Sequence, residues 1–195
     1  MKSYHPRVIS LLLRNGADPN LANKDGSTPV HVVCQERFEI DLFGIFFMDT
    51  LYMNQEVRVD ARDNLGRAPL HLALEHDLKS TAEDLLWSGA DPNLANVEGW
   101  TPLHIVCKRK ERCPDENLNL ATMLMESSRD EDDVPQLLID ARNEASCDTA
   151  LHLAAGNKNR DLFVLLLTRG ADPNSANAEG LTPLHVICKD SYCCL

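Results

Sequence analysis

The sequence has few aromatic residues and no long hydrophobic run. Aromatic residues make up 5% of the 195 residues, although 44% are hydrophobic in total. No apolar stretch approaches the roughly 20 residues that a membrane-spanning helix needs, so membrane insertion is not expected. The apolar stretch near the start, residues 8–13, is also too short for a secretory signal peptide, and its flanks are too polar.

Basic residues are scarce relative to acidic ones. The chain has 19 Lys and Arg against 30 Asp and Glu, which gives a formal net charge of −11. A nucleic-acid partner is therefore not expected, because binding to phosphate depends on Lys and Arg. The seven cysteines are an odd number, and none forms a CxxC pair. This favours a reduced intracellular protein, in the cytoplasm or the nucleus, over a secreted disulfide scaffold.

The common catalytic motifs are absent from the sequence. It contains no Gly-rich phosphate loop, no Gly-x-Ser-x-Gly and no His-Glu-x-x-His. We therefore expect no enzyme activity, no cofactor and no small-molecule substrate.

One motif is present five times. It is Thr-Pro-Leu-His with small variations, and its histidines are His31, His71, His104, His152 and His185. Successive histidines are separated by 40, 33, 48 and 33 residues. The basic unit is therefore 33 residues long, with insertions of 7 and 15 residues in two of the four intervals.

This motif and its period resemble those of the ankyrin repeat family, whose unit of about 33 residues is a β-finger followed by two antiparallel helices. The resemblance implies an all-α repeat solenoid in which two repeats carry long insertions. It implies a single ankyrin repeat domain over residues 1–195, with repeats near 20–59, 60–92, 93–139 and 140–173 between partial repeats at 1–19 and 174–195. We expect the chain to be a window on a longer array, or a truncated copy of one.

Local signals predict where the helices of each repeat begin and end. The Thr of the motif is placed to cap the first helix, and the Pro fits its first turn. Glycine just past a Leu-rich second helix is expected to end it, as at Gly89. Three residues depart from the pattern, namely Ala68 for Thr, Ala150 for Pro and Cys147 for the finger glycine. The second helices after the first and third motifs are expected to be long, over residues 38–52 and 118–128.

Apolar residues beside the motif are expected to fill the core between repeats. They include Val30, Val32, Val33, Leu103, Ile105, Val106, Leu184, Val186 and Ile187. Trp87, two residues before Gly89, is expected to pack against the first insertion. Partial exposure on the back face is the alternative, because polar residues, Arg14 and Thr168, occupy its place elsewhere.

Histidine and cysteine recur three residues apart, a spacing that suggests metal ligands. The pairs are His31 and Cys34, His104 and Cys107, and His185 and Cys188. Each pair supplies only two ligands, and the pairs lie in alternate repeats, whereas zinc needs three or four convergent ligands. We therefore expect no metal site, with His as a structural residue of the motif and Cys as a small buried residue.

The residue just before each motif varies freely, and in the ankyrin family this position lies beside the β-finger on the side used for partners. These residues are Ser27, Arg67, Trp100, Asp148 and Leu181. A Trp at this position is an anchor of the kind that dominates protein interfaces. Packing of Trp100 on a neighbouring finger is the alternative that the sequence leaves open.

Two charge clusters have opposite sign. Lys108, Arg109, Lys110 and Arg112 follow the third motif, and residues 130–133 are acidic. Both are ordinary features of solvated loops, and the alternative is a pair that steers a partner in a salt-dependent way.

Three finger asparagines, Asn20, Asn93 and Asn174, occupy the position that an asparaginyl hydroxylase can modify in the ankyrin family. A structural turn role is the interpretation that we favour for them, and hydroxylation is the alternative.

The sequence thus predicts a non-catalytic protein–protein interaction module. It would bind another protein through its β-finger tips and the concave face of its first helices. The alternative is a substrate-recruiting adaptor or a scaffold fragment of a larger multidomain protein.

Overall fold

In the computed structural model, residues 6–35, 41–109, 114–127 and 136–191 are described, and they form helices and turns without a β-strand. The helices, in chain order, are α1 (Pro6–Arg14), α2 (Pro29–Val33), α3 (Leu42–Tyr52), α4 (Pro69–Glu75), α5 (Lys79–Trp87), α6 (Pro102–Lys108), α7 (Pro114–Glu126), α8 (Ala150–Gly156), α9 (Arg160–Thr168) and α10 (Pro183–Ser191). None of these helices is both long and apolar enough to span a membrane.

The chain divides into two compact units, residues 1–90 and 91–195. In the first unit the repeat pairs are α2 with α3 and α4 with α5; α2 also contacts α4, and α3 contacts both α1 and α5. In the second unit the pairs are α6 with α7 and α8 with α9; α8 also contacts both α6 and α10, and α7 contacts α9. Each unit therefore has an inner row of first helices and an outer row of second helices.

Leucine side chains form the core of both units. The leucines with less than 2% of their surface exposed are Leu70, Leu72, Leu74 and Leu85 in the first unit, and Leu103, Leu124, Leu151, Leu162 and Leu166 in the second. Small alanines such as Ala73, Ala82, Ala121 and Ala154 are fully buried among them. Burial of a leucine side chain contributes about 1.5–3 kcal/mol, so this alternation of leucine and alanine stabilises the stacking of repeats.

The first helices begin as the motif predicts. Thr28, Thr101 and Thr149 are the N-caps, in extended backbone, and the helix starts at the next residue. In α4 the N-cap is Ala68, which has no hydroxyl group. The Ala68 N–H donates to His71 Nδ1 at 3.1 Å, as the threonine N–H groups do at the other three caps.

The second helix α5 ends at the predicted glycine. Gly89 has a φ of 88°, which favours glycine, and the N–H of the next residue, Ala90, returns to Leu85 O at 3.0 Å. Gly16 and Gly170 occupy the same position after α1 and α9.

The bounds of the two long second helices differ from the predicted ones. Helix α3 begins at Leu42, where Asp41 caps it by accepting from Gly44 N–H at 2.8 Å, and residues 36–40 lie outside the described residues. Helix α7 begins at Pro114, four residues earlier than predicted, and ends at Glu126. Proline suits the first turn of a helix, and this signal outweighs the later start of the apolar pattern.

Three residues predicted for the core have substantial exposure. Val30 is 1% exposed, as expected, but Val32 is 46% exposed and points away from the packed face of the five-residue helix α2. In α10, Leu184 is 67% and Ile187 38% exposed, because α8 contacts this helix on one side only. The prediction for these residues was wrong.

Candidate protein-binding surface

Each finger is built around an Asn or Asp side chain that the motif does not include. Asn96 Oδ1 accepts hydrogen bonds from Glu98 N–H at 2.9 Å and Trp100 N–H at 3.0 Å, which closes the turn. Asn23, Asp63 and Asn177 make the same pair of bonds in their fingers. Sequence reasoning missed these residues, although the signal was available: each lies three residues before the finger glycine.

The fourth finger carries one extra residue, and its backbone shows the consequence. Cys147 takes the glycine position with a φ of 54°. Its N–H bonds Asn143 O, four residues back, at 3.1 Å, whereas Gly99 N–H bonds Asn96 O, three residues back. The turn is therefore wider, and a non-glycine residue occupies a left-handed conformation that costs about 1 kcal/mol.

Neighbouring fingers are joined by single backbone hydrogen bonds. In the first unit Asn64 N–H donates to Asp25 O at 3.0 Å. In the second unit Glu144 N–H donates to Glu98 O at 3.0 Å, and Ala178 N–H donates to Ser146 O at 2.8 Å. Within each unit the finger turns thus form a connected edge.

The motif histidines connect one repeat to the next. His104 Nδ1 accepts from Thr101 N–H at 3.2 Å and lies 2.8 Å from the Thr101 hydroxyl, while Nε2 lies 3.1 Å from Asp148 O in the following repeat. His31 and His152 repeat this arrangement, with Nε2 on Arg67 O at 3.0 Å and Leu181 O at 2.9 Å. A ring that accepts at Nδ1 and donates at Nε2 is the neutral Nε2–H tautomer.

Burial keeps two of these rings neutral. It is the main cause that lowers the pKa of His31 and of His104 below the ordinary value, against the opposing effect of the carbonyl hydrogen bonds. Their side chains are 0% and 1% exposed. A second proton would also remove the acceptor at Nδ1 and leave the N-cap N–H without its partner.

We expect the protein to lose stability when the pH falls below about 6.5, the pKa of histidine in an unfolded chain. The folded-state pKa of His31 and His104 is lower, so the unfolded state takes up protons first. The stabilisation is complete above about pH 6.5 and is lost as the pH falls towards the folded-state pKa, by at most about 1.4 kcal/mol per pH unit for each histidine. Urea unfolding followed by circular dichroism should give a lower free energy at pH 5.5 than at pH 7.5, by at most about 3 kcal/mol for the two histidines together. Equal free energies at the two pH values would contradict the assignment.

In the first unit the two predicted contact residues differ in accessibility. Ser27 is 7% exposed and has little surface to offer a partner. Arg67 is partly exposed, and its Nε and Nη2 atoms lie 2.9 and 2.8 Å from Asp63 Oδ2. Burial opposes ionisation of Asp63, but the hydrogen bonds and charge of Arg67 lower its pKa overall. Ser27 and Arg67 line a groove of about 430 Å³, together with Val32 and Gln35.

In the second unit Trp100 is part of a compact cluster. The ring is half-buried, and its Nε1–H donates to Glu98 Oε2 at 2.7 Å. Lys108 Nζ lies 4.2 Å from the ring centroid, and the His104 ring meets it edge-on at 5.8 Å. The structure thus brings Trp100 and Lys108 together, one before and one at the end of α6.

Asp148 and Leu181 continue this surface. Asp148 Oδ1 accepts from Asn177 Nδ2 at 2.8 Å, and Oδ2 accepts from the Ser146 hydroxyl at 2.5 Å. Leu181 is half-buried. The residue that follows Lys108, Arg109, is also half-buried. The remaining members of the two charge clusters, Lys110, Arg112 and residues 130–133, lie outside the described residues.

The finger asparagines differ in their bonding. Asn20 Nδ2 donates to Glu56 O at 2.7 Å, and its Oδ1 accepts from Arg58 N–H at 2.8 Å. Asn93 makes the same two bonds to Gln136 O at 3.0 Å and from Leu138 N–H at 2.7 Å. These bonds fit a structural turn role. Asn174 is exposed.

Two of the three His-x-x-Cys pairs are buried as structural residues, whereas Cys188 is exposed, so the prediction of a buried cysteine was wrong there. Cys34 and Cys107 are buried, and burial raises the pKa of the Cys34 thiol to about 12 and raises that of Cys107 as well. Thiols that hold their protons are poor metal ligands. Within the described ranges no three or more His, Cys, Asp or Glu side chains come together in a way that could hold a metal ion.

The prediction for Trp87 was wrong. Its side chain is 89% exposed at the end of α5 instead of packing against the first insertion.

Comparisons with known proteins identify the class to which these repeats belong. A family model described as ankyrin repeats (3 copies) matches residues 1–96, and a second, described as ankyrin repeats (many copies), matches residues 137–187. The chain belongs to the ankyrin repeat family, and the fold class predicted from the sequence is confirmed.

The chain is similar to several ankyrin repeat proteins. It is 29% identical over 182 residues to the B-cell lymphoma 3 protein homolog of Mus musculus, covering 92% of this chain and 36% of that protein. It is 30% identical over 184 residues to ankyrin repeat and SOCS box protein 16 of Mus musculus, covering 92% and 37%. The crystal structure of the ankyrin repeat domain of Bcl-3 matches with a TM-score of 0.73 at 25% identity, covering 93% of this chain and 72% of that one. The chain spans just over a third of the length of the two curated relatives.

Proposed function

We propose that this chain is a non-catalytic module that binds another protein through its fingers and the exposed faces of its first helices. The ankyrin repeat family and the Bcl-3 likeness support a protein-interaction module. The arrangement of the fingers supports the fingers as the place where the partner binds. The backbone at Arg67, Asp148 and Leu181 is bonded to a histidine of the preceding repeat, so these side chains are presented from fixed positions.

The cluster around Trp100 carries the proposal. An aromatic ring that is half-buried and held by Glu98 loses little conformational freedom on binding. Lys108 above the ring adds a positive charge beside this apolar surface. A partner segment with an apolar side chain next to a carboxylate would pack against Trp100 and pair with Lys108.

Replacing Trp100 with alanine is expected to reduce capture of the partner at least tenfold, because a buried interface Trp contributes about 2 kcal/mol or more. The test compares tagged wild-type and Trp100→Ala chains as baits in a cell extract, with bound proteins quantified by mass spectrometry. Val164→Ala is the control, since Val164 is exposed on the second helix α9, away from the fingers. An equal set of proteins on the two baits would contradict the proposal, and so would loss of the helical circular dichroism signal in Trp100→Ala.

Partner association is proposed to depend on salt. Lys108 places positive charge over Trp100, and Arg109 follows it in an otherwise acidic chain; such local fields accelerate association. The association rate should fall as the salt concentration rises, and an unchanged rate would end this hypothesis.

A second proposal is that the module works as a substrate-recruiting adaptor or scaffold portion of a larger protein. It is favoured by the short span of the chain relative to its curated relatives. An antibody against this chain should then detect a cellular protein clearly larger than 21.8 kDa. A single band at that mass would contradict the adaptor proposal and leave the first one intact.

The compartment and the modification of the fingers are further proposals. We place the protein in the reducing cytoplasm or nucleus, supported by four free cysteines, Cys34, Cys107, Cys147 and Cys188. If an asparaginyl hydroxylase acts on the fingers, the exposed Asn174 is the most accessible target, ahead of Asn20 and Asn93. Intact-mass measurement after incubation with such an enzyme would show the addition of one oxygen atom.

A further inference from the structure

The second helices of the first unit end in the same register. The N–H groups of Gly16, Asn54 and Gly89 bond the carbonyl oxygens three residues back, and all three residues have a positive φ. Because α3 contacts both α1 and α5, equivalent positions of these helices lie side by side. The residues two positions before the turn therefore form a row: Arg14, Tyr52 and Trp87.

Two aromatic side chains of this row are almost fully exposed. Trp87 is 89% and Tyr52 80% exposed, and on α3 Leu51 is 61% and Met48 67% exposed. We call these four residues the Trp87 face. Large apolar side chains exposed on two helices that contact each other are unusual on a folded domain and mark an interaction surface.

One contact within the row shows which chemistry these rings attract. The Arg14 guanidinium lies 5.9 Å from the centroid of the Tyr52 ring, within the range of a cation–π interaction. In the part of the chain that the structure describes, no cation lies over Trp87, the better ring for such a contact.

The charge on the α5 side of the Trp87 face also favours a cation. The C-terminal ends of α3 and α5 carry the negative ends of their helix dipoles at this position. Asp84, one turn before Trp87, has no ion-pair partner within the described ranges. Burial, and then the negative charges of Asp41 and Glu83, raise its pKa, so Asp84 has other acidic side chains near it.

We propose that the Trp87 face binds an amphipathic, arginine-containing helix of another protein. Its arginine would stack on Trp87 as Arg14 does on Tyr52, and its apolar side chains would cover Met48 and Leu51. This site goes beyond the proposed function, because it lies on the outer helices and not on the fingers. An anionic membrane fits less well, since Asp84 and the helix ends repel it.

A fluorescence experiment tests the site directly. The Trp100→Phe chain retains Trp87 as its only tryptophan. The probe is a synthetic helical peptide with leucine and arginine on one face and glutamine on the other. We expect a blue shift of the Trp87 emission on titration with this peptide, and no shift with a peptide in which citrulline replaces each arginine. An equal shift with both peptides would overturn the role of the charge.

Matched variants keep the test independent of folding. Trp87→Ala, followed by anisotropy of the labelled peptide, should weaken binding at least about tenfold, because the ring supplies both the stacking and the apolar contact. Asp84→Asn should weaken it about threefold and reduce its dependence on salt. Val164→Ala is the control: Val164 is 49% exposed on α9, at the register of Met48, without an aromatic row. An equal loss in Val164→Ala would overturn the proposal.

Two other occupants would also be revealed and would overturn it. A Trp87 blue shift with phosphatidylcholine–phosphatidylserine vesicles, and none with the peptide, would indicate a membrane. A dimer in sedimentation equilibrium that Trp87→Ala dissociates would indicate a second copy of the chain. Peptide binding that persists in Trp100→Ala would show that the Trp87 face binds independently of the finger surface. This result would hold whether or not the finger surface binds a partner.

Discussion

Replacing His104 with alanine is expected to lower the free energy of unfolding by about 3 kcal/mol. The ring is 1% exposed, so its removal leaves a cavity. It also leaves the N–H of Thr101 without its hydrogen bond and removes one of the two that the carbonyl of Asp148 accepts, the other coming from Asn143 N–H. Because the second group belongs to the next repeat, the variant should unfold at lower urea concentration by every probe, including one that reports on α8.

His185 provides the matched control for this prediction. It makes the same local contact, accepting from Thr182 N–H at 3.2 Å, but it is exposed. Its Nε2 has no bond to a following repeat among the described residues. His185→Ala should therefore cost only about 1 kcal/mol, the value of a lost cap. Equal losses in the two variants would mean that the bond between repeats contributes nothing to stability.

Replacing Gly99 with alanine is expected to destabilise the protein by about 3 kcal/mol, for two separate reasons. The φ of 76° is strained for any residue with a Cβ. The added Cβ would also lie 2.5 Å from Glu144 N and 2.9 Å from Glu144 Cγ in the next finger. The first of these atoms is backbone, so the whole finger has to move and its hydrogen bond to Glu98 O lengthens.

Gly180 separates the two effects. Its φ of 74° matches that of Gly99, but a Cβ there would meet nothing within 4 Å. Gly180→Ala should therefore show only the conformational cost, about 1 kcal/mol. Thermal unfolding of both variants measures the difference, which reports the contact between adjacent fingers. A difference near zero would contradict the close approach of residue 144.

Much of the fold could be predicted from the sequence because its signals are local and repeated. The first helix begins where Thr or Ala is followed by Pro, and the second helix ends where Gly follows it. Each of these signals determines the structure of only a few neighbouring residues. The structure places Thr101 and Gly89 in these roles. Cys147 shows that the repeat fixes the backbone at this position, since its φ is positive even though the residue is not glycine.

Most features that sequence reasoning missed depend on contacts between residues that are far apart in the sequence. The exposure of Trp87 and Val32 is decided by which helices lie beside them, and no spacing in the sequence encodes that. The bond from His104 to Asp148 O spans 44 residues across an insertion. The asparagines that close the fingers were accessible in principle, because Asn96 recurs at a fixed distance from Gly99 as its equivalents do.

The bond from each buried histidine to the following repeat allows the side chains of the finger surface to be substituted. It ends on a main-chain carbonyl, a group that every amino acid has. Arginine, aspartate and leucine occupy this position at residues 67, 148 and 181, and all three accept the same bond. This bond is thus insensitive to which side chain stands there. A library randomised at these positions and at Trp100 should yield folded chains with new recognition properties, so the module is a natural starting point for selected binders.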